Sequence, residues 1–504
     1  MSDPIFGISI STLDGEPRPG LRSNMSVAGL VVTAPAANAS LFPLNEPVTF
    51  FSDDTTMLAA LGTEGTAYAS LAAINEQLTE FEVAAQVVLV RVEQGATVKE
   101  TIANLRGDIN ARTGMFALLD AAHVLGVSPR IVVVPGHTSQ AVNQAGSVTL
   151  LTQGAKLTEA PLVAFSGGGS SPTKVLPTGH AVIGTGADAQ KVVNVVLDSK
   201  GEDLSGPLTV TFSGGGSDAG KVLPTASVAI DSATNAICAS LPTLLDQLLA
   251  VGIVDGPAST MNAAIAWRTS LSSKRIIPVD PAYKVINDEG DIVVVPKSPR
   301  AVGALIANDH EHGGLPSHSA ANRAIRGIVG TSRPIAFSLL DGANEGQTLL
   351  SHNIGITVRG ENTDGAIADG GYVLIMTDTC SEDPIWKFYN QVRMRDYIHL
   401  MFIKTLRFYL GRYNLTGQTL QAVMNTMNFA LRDLKAQQAI LDYKPVSFDR
   451  DRNSPEQLRL GRFTLDVKFE EPAPLVYLGI QSARYRPALD ILLSDLQSQL
   501  ATAA

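Results

Sequence analysis

From Ser26 onward, apolar runs bounded by turn residues, VAGLVVTAP and VAAQVVLVRV, enclose a stretch from Thr55 to Leu78 whose apolar positions recur at helical spacing. A helix near Met115 to Leu125 follows, then a strand from Arg130 to Val134 that stops at Pro135-Gly136. The helical ASLPTLLDQLLAV leads into a further strand, VGIVDGP at 251–257, and after it come another helix and KRIIPVDP. Buried strands alternating with helices predict a layered α/β domain built from residues 26–141 and 233–295.

The segment between those halves, 142–232, breaks the pattern. It is rich in Thr, Val and Gly and contains FSGGGSSPTKVLPT at 165–178 and FSGGGSDAGKVLPT at 212–225, so that Phe165 and Phe212, or Lys174 and Lys221, stand 47 residues apart. This predicts an inserted β-rich domain of two similar units. The glycine triplets invite a phosphate-loop reading, but no Ser or Thr follows either lysine and no helix begins there. Tight hairpin turns at exposed tips account for the same glycines.

Residues 1–25 carry three prolines and no helical period, which predicts an extended arm whose exit is marked by Pro17, Pro19 and Gly20. At the other end of the chain, an apolar run starting at Ser298 is expected to be a strand, followed by a polar, Gly-rich linker. Asp383 is a good N-cap and Pro384 fits a first helical turn. Apolar residues then recur every three to four positions to about Gly411, and the opposite face carries Lys387, Arg393, Arg395, Lys404 and Arg407. That face is either solvated or meets a neighbouring subunit or an enclosed tube. A second helix is expected from Thr416 to about Leu441. Beyond it Leu465, Val467 and Phe469 alternate, two prolines interrupt, and Val476, Leu478 and Ile480 resume, which predicts strands in a terminal region 463–504.

Composition narrows the function classes. A net charge of −10 argues against coating nucleic acid. No apolar run is long enough to span a bilayer, and MSDPIFG is no secretory signal, so synthesis and residence in the cytoplasm are expected. The two cysteines, Cys238 and Cys380, lie outside any C-x-x-C pattern; they are either reduced thiols or a link between subunits in an oxidising medium. Asp309, His310, Glu311, His312 and His318, with His352 further on, form the one cluster with metal-ligand chemistry, and His310 and His312 would share a face only if this stretch were a strand. Neither H-E-x-x-H nor G-x-S-x-G occurs, and no acid and base converge by spacing. No catalytic, cofactor or metal residues are therefore assigned.

The region 298–398 resembles the tail sheath proteins of contractile phage tails and related injection machines. Ser298, Pro299, Gly303, Ile306, Ala307, Asp309, Gly313, Ala321 and Asn322 match one family segment. Asn353, Ile354, Gly355 and Ile356 match a second, and Asp383, Pro384, Trp386, Arg393 and Arg395 a third. The resemblance implies an α/β (α+β) multidomain protein with a layered sheath core, of which 296–462 is the C-terminal part, and extended terminal arms that tie subunits together. It further implies a structural subunit with no cofactor, polymerising with itself in six-fold rings stacked around a tail tube protein, with baseplate and tail terminator proteins as partners, in a virion made in the host cytoplasm. Another tail or capsid assembly protein and, from a different class, a cytosolic α/β metalloenzyme using the His cluster are the alternatives.

Overall fold

The computed structural model describes residues 22–502 apart from positions 141, 171–173, 203, 205, 288 and 362. The chain divides into two compact units at Pro472/Ala473. The first begins with β1 (Ala28–Thr33), β2 (Pro47–Phe51), α1 (Thr55–Leu61), α2 (Ala67–Leu78), β3 (Gln86–Val92), α3 (Val98–Arg106), the short α4 (Ala121–Val124) and β4 (Ile131–Val133). An excursion of six strands follows: β5 (Val142–Thr152), β6 (Pro161–Gly167), β7 (Thr178–Ile183), β8 (Val192–Ser199), β9 (Leu208–Gly214) and β10 (Thr225–Ala233). The chain then returns through α5 (Ala236–Leu248), β11 (Val251–Asp255), α6 (Met261–Thr269) and β12 (Ile276–Val279).

These halves share one sheet of order β12-β11-β4-β1-β3-β2, parallel except for the edge strand β2. Strands from before and after the excursion thus lie side by side in one sheet. Every residue of β1 is buried, as expected of a parallel strand covered on both faces. One face packs against α2 and the other against α3 and α5, giving two apolar layers.

After β13 (Tyr283–Ile286) and β14 (Ile292–Val295) comes α7 (Ser298–Glu311), where a strand is expected from the sequence. Twelve successive residues of α7, Ser298 to Asp309, are buried, and its apolar positions join the same layer as α2. Buried on every side, with Arg300, Asn308 and Asp309 bonded inside the fold, such a helix shows no amphipathic period of burial. Gly303 sits where a Cβ would lie 2.8 Å from the Ile74 carbonyl oxygen, so α2 and α7 touch backbone to backbone. The boundary expected between 295 and 296 therefore falls inside a packed core.

Short strands β15 (Arg323–Ala324), β16 (Gly330–Thr331), β17 (Ile356–Arg359) and β18 (Tyr372–Ile375), with α8 (Glu345–Ser351), form two small antiparallel sheets. The long helices α9 (Tyr389–Leu406) and α10 (Gly417–Ala436) pack with β19 (Asp442–Ser447) and β20 (Asp466–Glu470), beyond the short α11 (Pro455–Arg459), around a third apolar cluster. The second unit holds one helix, α12 (Pro487–Thr502).

The carboxyl edge of the parallel sheet, where α/β folds commonly place ligands, is filled by the chain's own side chains. Asp255, at the end of β11, accepts from the Lys297 amide (2.9 Å), the Ser298 amide (2.7 Å) and the Ser298 hydroxyl (2.6 Å). Lys297 is buried and its Nζ donates to the carbonyls of Asp280 (3.3 Å) and Gly355 (3.0 Å). Burial lowers the Lys297 ammonium to about 7, against the pull of Asp280 and Asp255. An unfolded chain binds this proton more tightly between about pH 7 and 10, so the contribution of Lys297 to stability rises with pH through that window and is least favourable below it. The unfolding free energy of the natural chain minus that of Lys297→Met should therefore grow from about pH 7 to pH 9. A flat difference would show that Lys297 keeps its proton throughout.

Candidate subunit-contact surfaces

Of the basic positions expected to meet a neighbour or a tube, Arg393 turns fully inward, Lys387, Arg395 and Lys404 are half-buried, and Arg407 is exposed. Arg393 is only 1% exposed. It donates from both terminal nitrogens to Asp309 of α7 (2.9 and 2.5 Å) and from one of them to the Met25 carbonyl (2.9 Å). The Ser26 hydroxyl donates to the same carboxylate at 2.8 Å. Arg395 holds Glu471 through two bonds of 2.6 and 2.7 Å while its guanidinium lies 4.6 Å from the Phe469 ring centroid. Both are corrections. Each of these cations has a buried carboxylate partner from a distant part of the chain, which leaves Arg393 unavailable to another subunit and Arg395 committed within its own.

Lys404 donates to the Arg22 carbonyl at 3.2 Å, and Lys387 lies 3.4 Å from Asp378. Arg407 is exposed and remains a candidate contact. Asn390 and Gln391 donate to the Pro472 and Glu471 carbonyls at 3.2 and 3.1 Å. One helix thereby grips the chain where it leaves the N-terminal segment, at Arg22 and Met25, and again where it passes into the C-terminal one, at Glu471 and Pro472. Sequence spacing brought Arg393 and Arg395 into view but not these acceptors, which lie about 76 or more residues away.

Beside α9, β19 and β20 form a two-stranded antiparallel sheet. Leu465, Val467 and Phe469 are half-buried against the α9–α10 cluster, so they belong to the subunit's own core and are not free arm residues. No further strand borders this sheet among the described residues; the Phe469 carbonyl accepts from Arg395 at 3.4 Å and the Val446 amide donates to the Asn428 side chain at 2.8 Å. Val476, Leu478 and Ile480, expected to resume as a strand, belong to no assigned strand, and their exposures are 60%, 70% and 83%. A strand needs a neighbour for its hydrogen bonds, and none pairs with this segment among the described residues. Leu475 and Tyr477, between them in phase, are equally exposed. Pro17 and Pro19 lie outside the described residues.

Cys238 and Cys380 are free and buried in the same apolar layer. Burial pushes both thiols up, Cys380 to about 12. This overturns an intersubunit disulfide, because neither sulfur reaches the surface. Both thiols should be inert to a water-soluble aromatic disulfide reagent in the native protein and react on unfolding; rapid native labelling would contradict the packing.

The histidines are dispersed by the helix that replaces the expected strand. His310 meets the Phe81 ring edge-on at 5.5 Å, and His312 stacks on His318 at 3.7 Å. Among the described residues no three His, Cys, Asp or Glu side chains are grouped to hold a metal ion. The glycine triplets are not tight hairpin turns: they open the longer connections 168–177 and 215–224. All six glycines have positive φ, and the Lys174 ammonium donates to the carbonyls of Gly167 and Gly169 at 3.1 and 2.7 Å. The loop thus presents carbonyls to its own lysine.

The fold as a whole has counterparts. It superposes on the contracted helical sheath of the anti-feeding prophage with a TM-score of 0.57, 13% identity and coverage of 96% of this chain and 100% of that one. The sheath complex of an extracellular contractile injection system, PVC, in its contracted state gives 0.56, 11% identity and coverage of 96% and 99%. In sequence, the tail sheath protein of Escherichia phage P2 is 20% identical over 492 residues, 95% of this chain and 96% of that protein. The chain resembles the contractile tail sheath proteins. A prophage major tail sheath protein of Pseudomonas aeruginosa (strain UCBPP-PA14) is 32% identical over 244 residues, which is 48% of this chain and 60% of that sheath protein. No family model matches.

Proposed function

We propose that the chain is the subunit of a contractile tail sheath. It polymerises as six-fold rings stacked helically around a tail tube, bounded by baseplate and terminator proteins, and its contraction drives the tube through the host envelope. The observation that carries this reading is the double grip of α9. An arm can pull a neighbour only if its root is fixed, and both roots are fixed to one helix through Arg393 and Arg395.

The exposed stretch 475–480 is apolar on both sides, as suits a strand that becomes covered when it joins another sheet. The β19–β20 sheet of a neighbouring copy offers an edge bordered by no further strand among the described residues, and main-chain pairing would give a joint that survives rotation of the bodies. Pro472 and Pro474 lie where such a joint would bend. Work comes from the free-energy difference between an extended and a contracted lattice, so the subunit performs no catalytic step and needs no cofactor. In this reading the protein resides in the virion, with no nucleic acid or membrane insertion among its contacts; no helix among the described residues is long and apolar enough to cross a membrane.

Negative-stain electron microscopy of the chain expressed alone tests the reading. Hollow striated cylinders are expected. Compact particles at every concentration would overturn it.

A further inference from the structure

The 47-residue repeat of the inserted segment is not two hairpin units side by side. Within the first unit β5 pairs with neither β6 nor β7; its ladder partner is β10, the last strand of the second unit. The converse holds too, since β7 of the first unit pairs with β8, the first strand of the second. The registers repeat rung for rung: Gly179↔Leu197 and His180↔Val196 in one ladder become Ala226↔Leu150 and Ser227↔Thr149 in the other, each residue displaced by 47 and the units exchanged.

The loops obey the same rule. The Val192 amide donates to the Gln153 carbonyl and the Ala145 amide to the Lys200 carbonyl, at 2.9 and 2.8 Å. The Lys174 ammonium donates to the Gly169 carbonyl and the Lys221 ammonium to the Gly216 carbonyl, at 2.7 and 2.6 Å. A Cβ on Gly168 would sit 2.9 Å from Leu204 of the other unit; one on Gly215 would sit 2.8 Å from Leu157. The two apolar clusters of the segment are likewise related, each mixing residues of both units. Between β6 and β9 lies the rung Ala164↔Thr211, whose members are themselves 47 apart, so a two-fold axis passes through it.

We propose that residues 142–233 are a fused two-fold dimer, and that each unit is a self-association element whose chemical partner is a second copy of itself. The cross-pairing decides this. A tandem copy of a self-sufficient unit would keep its ladders inside each unit, whereas here each unit alone leaves its first strand unpaired and half of its cluster uncovered. In this chain the second copy is supplied in cis. The outermost rungs, Val142↔Ala233 and Asn143↔Ser232, set the ends of the segment side by side, so the fused dimer hangs from the α/β sheet by two adjacent strands and is separable from it.

The test uses the full chain with residues 187–232 removed and Ala164→Cys introduced. If the unit is self-complementary, two such chains meet with position 164 opposite position 164 across the axis, and mild oxidation yields a covalent dimer on a non-reducing gel. Directly opposed strand positions are close enough for a disulfide. Cys238 and Cys380 are buried and do not interfere. Thr178→Cys in the same shortened chain is the control, because position 178 faces the copy's position 152 and should give at least tenfold less dimer. Intact chain carrying both Ala164→Cys and Thr211→Cys should close the bond internally. The proposal is overturned if the shortened Ala164→Cys chain stays monomeric on oxidation, if both cysteines cross-link equally, or if the shortened chain aggregates while a chain lacking 142–233 altogether remains soluble. Tube formation by the terminal arms does not bring position 164 onto itself, so failure of the sheath reading leaves this result readable.

Discussion

Replacing Arg393 by leucine is expected to cost about 3–5 kcal/mol of stability, because it strands the Asp309 carboxylate in the core without a counter-charge, with only the Ser26 hydroxyl still donating to it. Asp309 is fully buried on α7 and Arg393 nearly so on α9. The Met25 carbonyl loses its donor in the same step, so the N-terminal root is released as well as weakened. Two measurements separate these effects. Denaturant unfolding should report the global loss, and hydrogen exchange should report faster exchange at residues 22–27 than the global loss alone requires. Substituting both partners together, Asp309→Leu with Arg393→Met, should recover most of the stability but not the protection of 22–27. Equal recovery of both would show that Arg393 is only a packing element and not a clamp on the arm root.

The sequence made the α/β alternation legible because parallel strands are apolar on both faces and their helices are amphipathic, as in β1 and α5. It failed at α7 for the opposite reason: Ser298 to Asp309 are all buried, Arg300, Asn308 and Asp309 among them, so no solvent-facing polar stripe marks a helical period and the apolar run reads as a strand. The repeat at 165 and 212 was equally plain, yet which unit pairs with which is a long-range choice that periodicity does not encode. The same blindness applies to α9. Its basic residues are visible at helical spacing, but their acceptors come from Met25, Asp309 and Glu471, and only folding brings those together. Spacing therefore identified the helix and its cations but not that Arg393 and Arg395 pair with carboxylates of their own subunit.

Removal of residues 473–504 should abolish cylinders while leaving the body folded. The segment is a compact unit of its own, and none of its residues belongs to the apolar clusters of the first unit, so its loss leaves those clusters complete. Thermal unfolding of the truncated chain should match that of the natural chain measured under non-assembling conditions. A lattice joint is different, since one strand of five or six residues supplies several main-chain hydrogen bonds and buries its apolar side chains at every subunit contact. A gentler variant localises the effect: Leu478→Pro removes one backbone donor and fixes the local φ, without shortening the chain. If the segment joins the β19–β20 sheet of a neighbour, this substitution should reduce cylinder length or raise the concentration needed for assembly by about tenfold or more, equivalent to about 1.4 kcal/mol per joint. A truncated chain that still forms cylinders would place the link between subunits in the N-terminal segment or in contacts between the bodies. A truncated chain that unfolds would mean the segment completes the fold of its own subunit, and the unbordered edge of β19–β20 would then need another explanation.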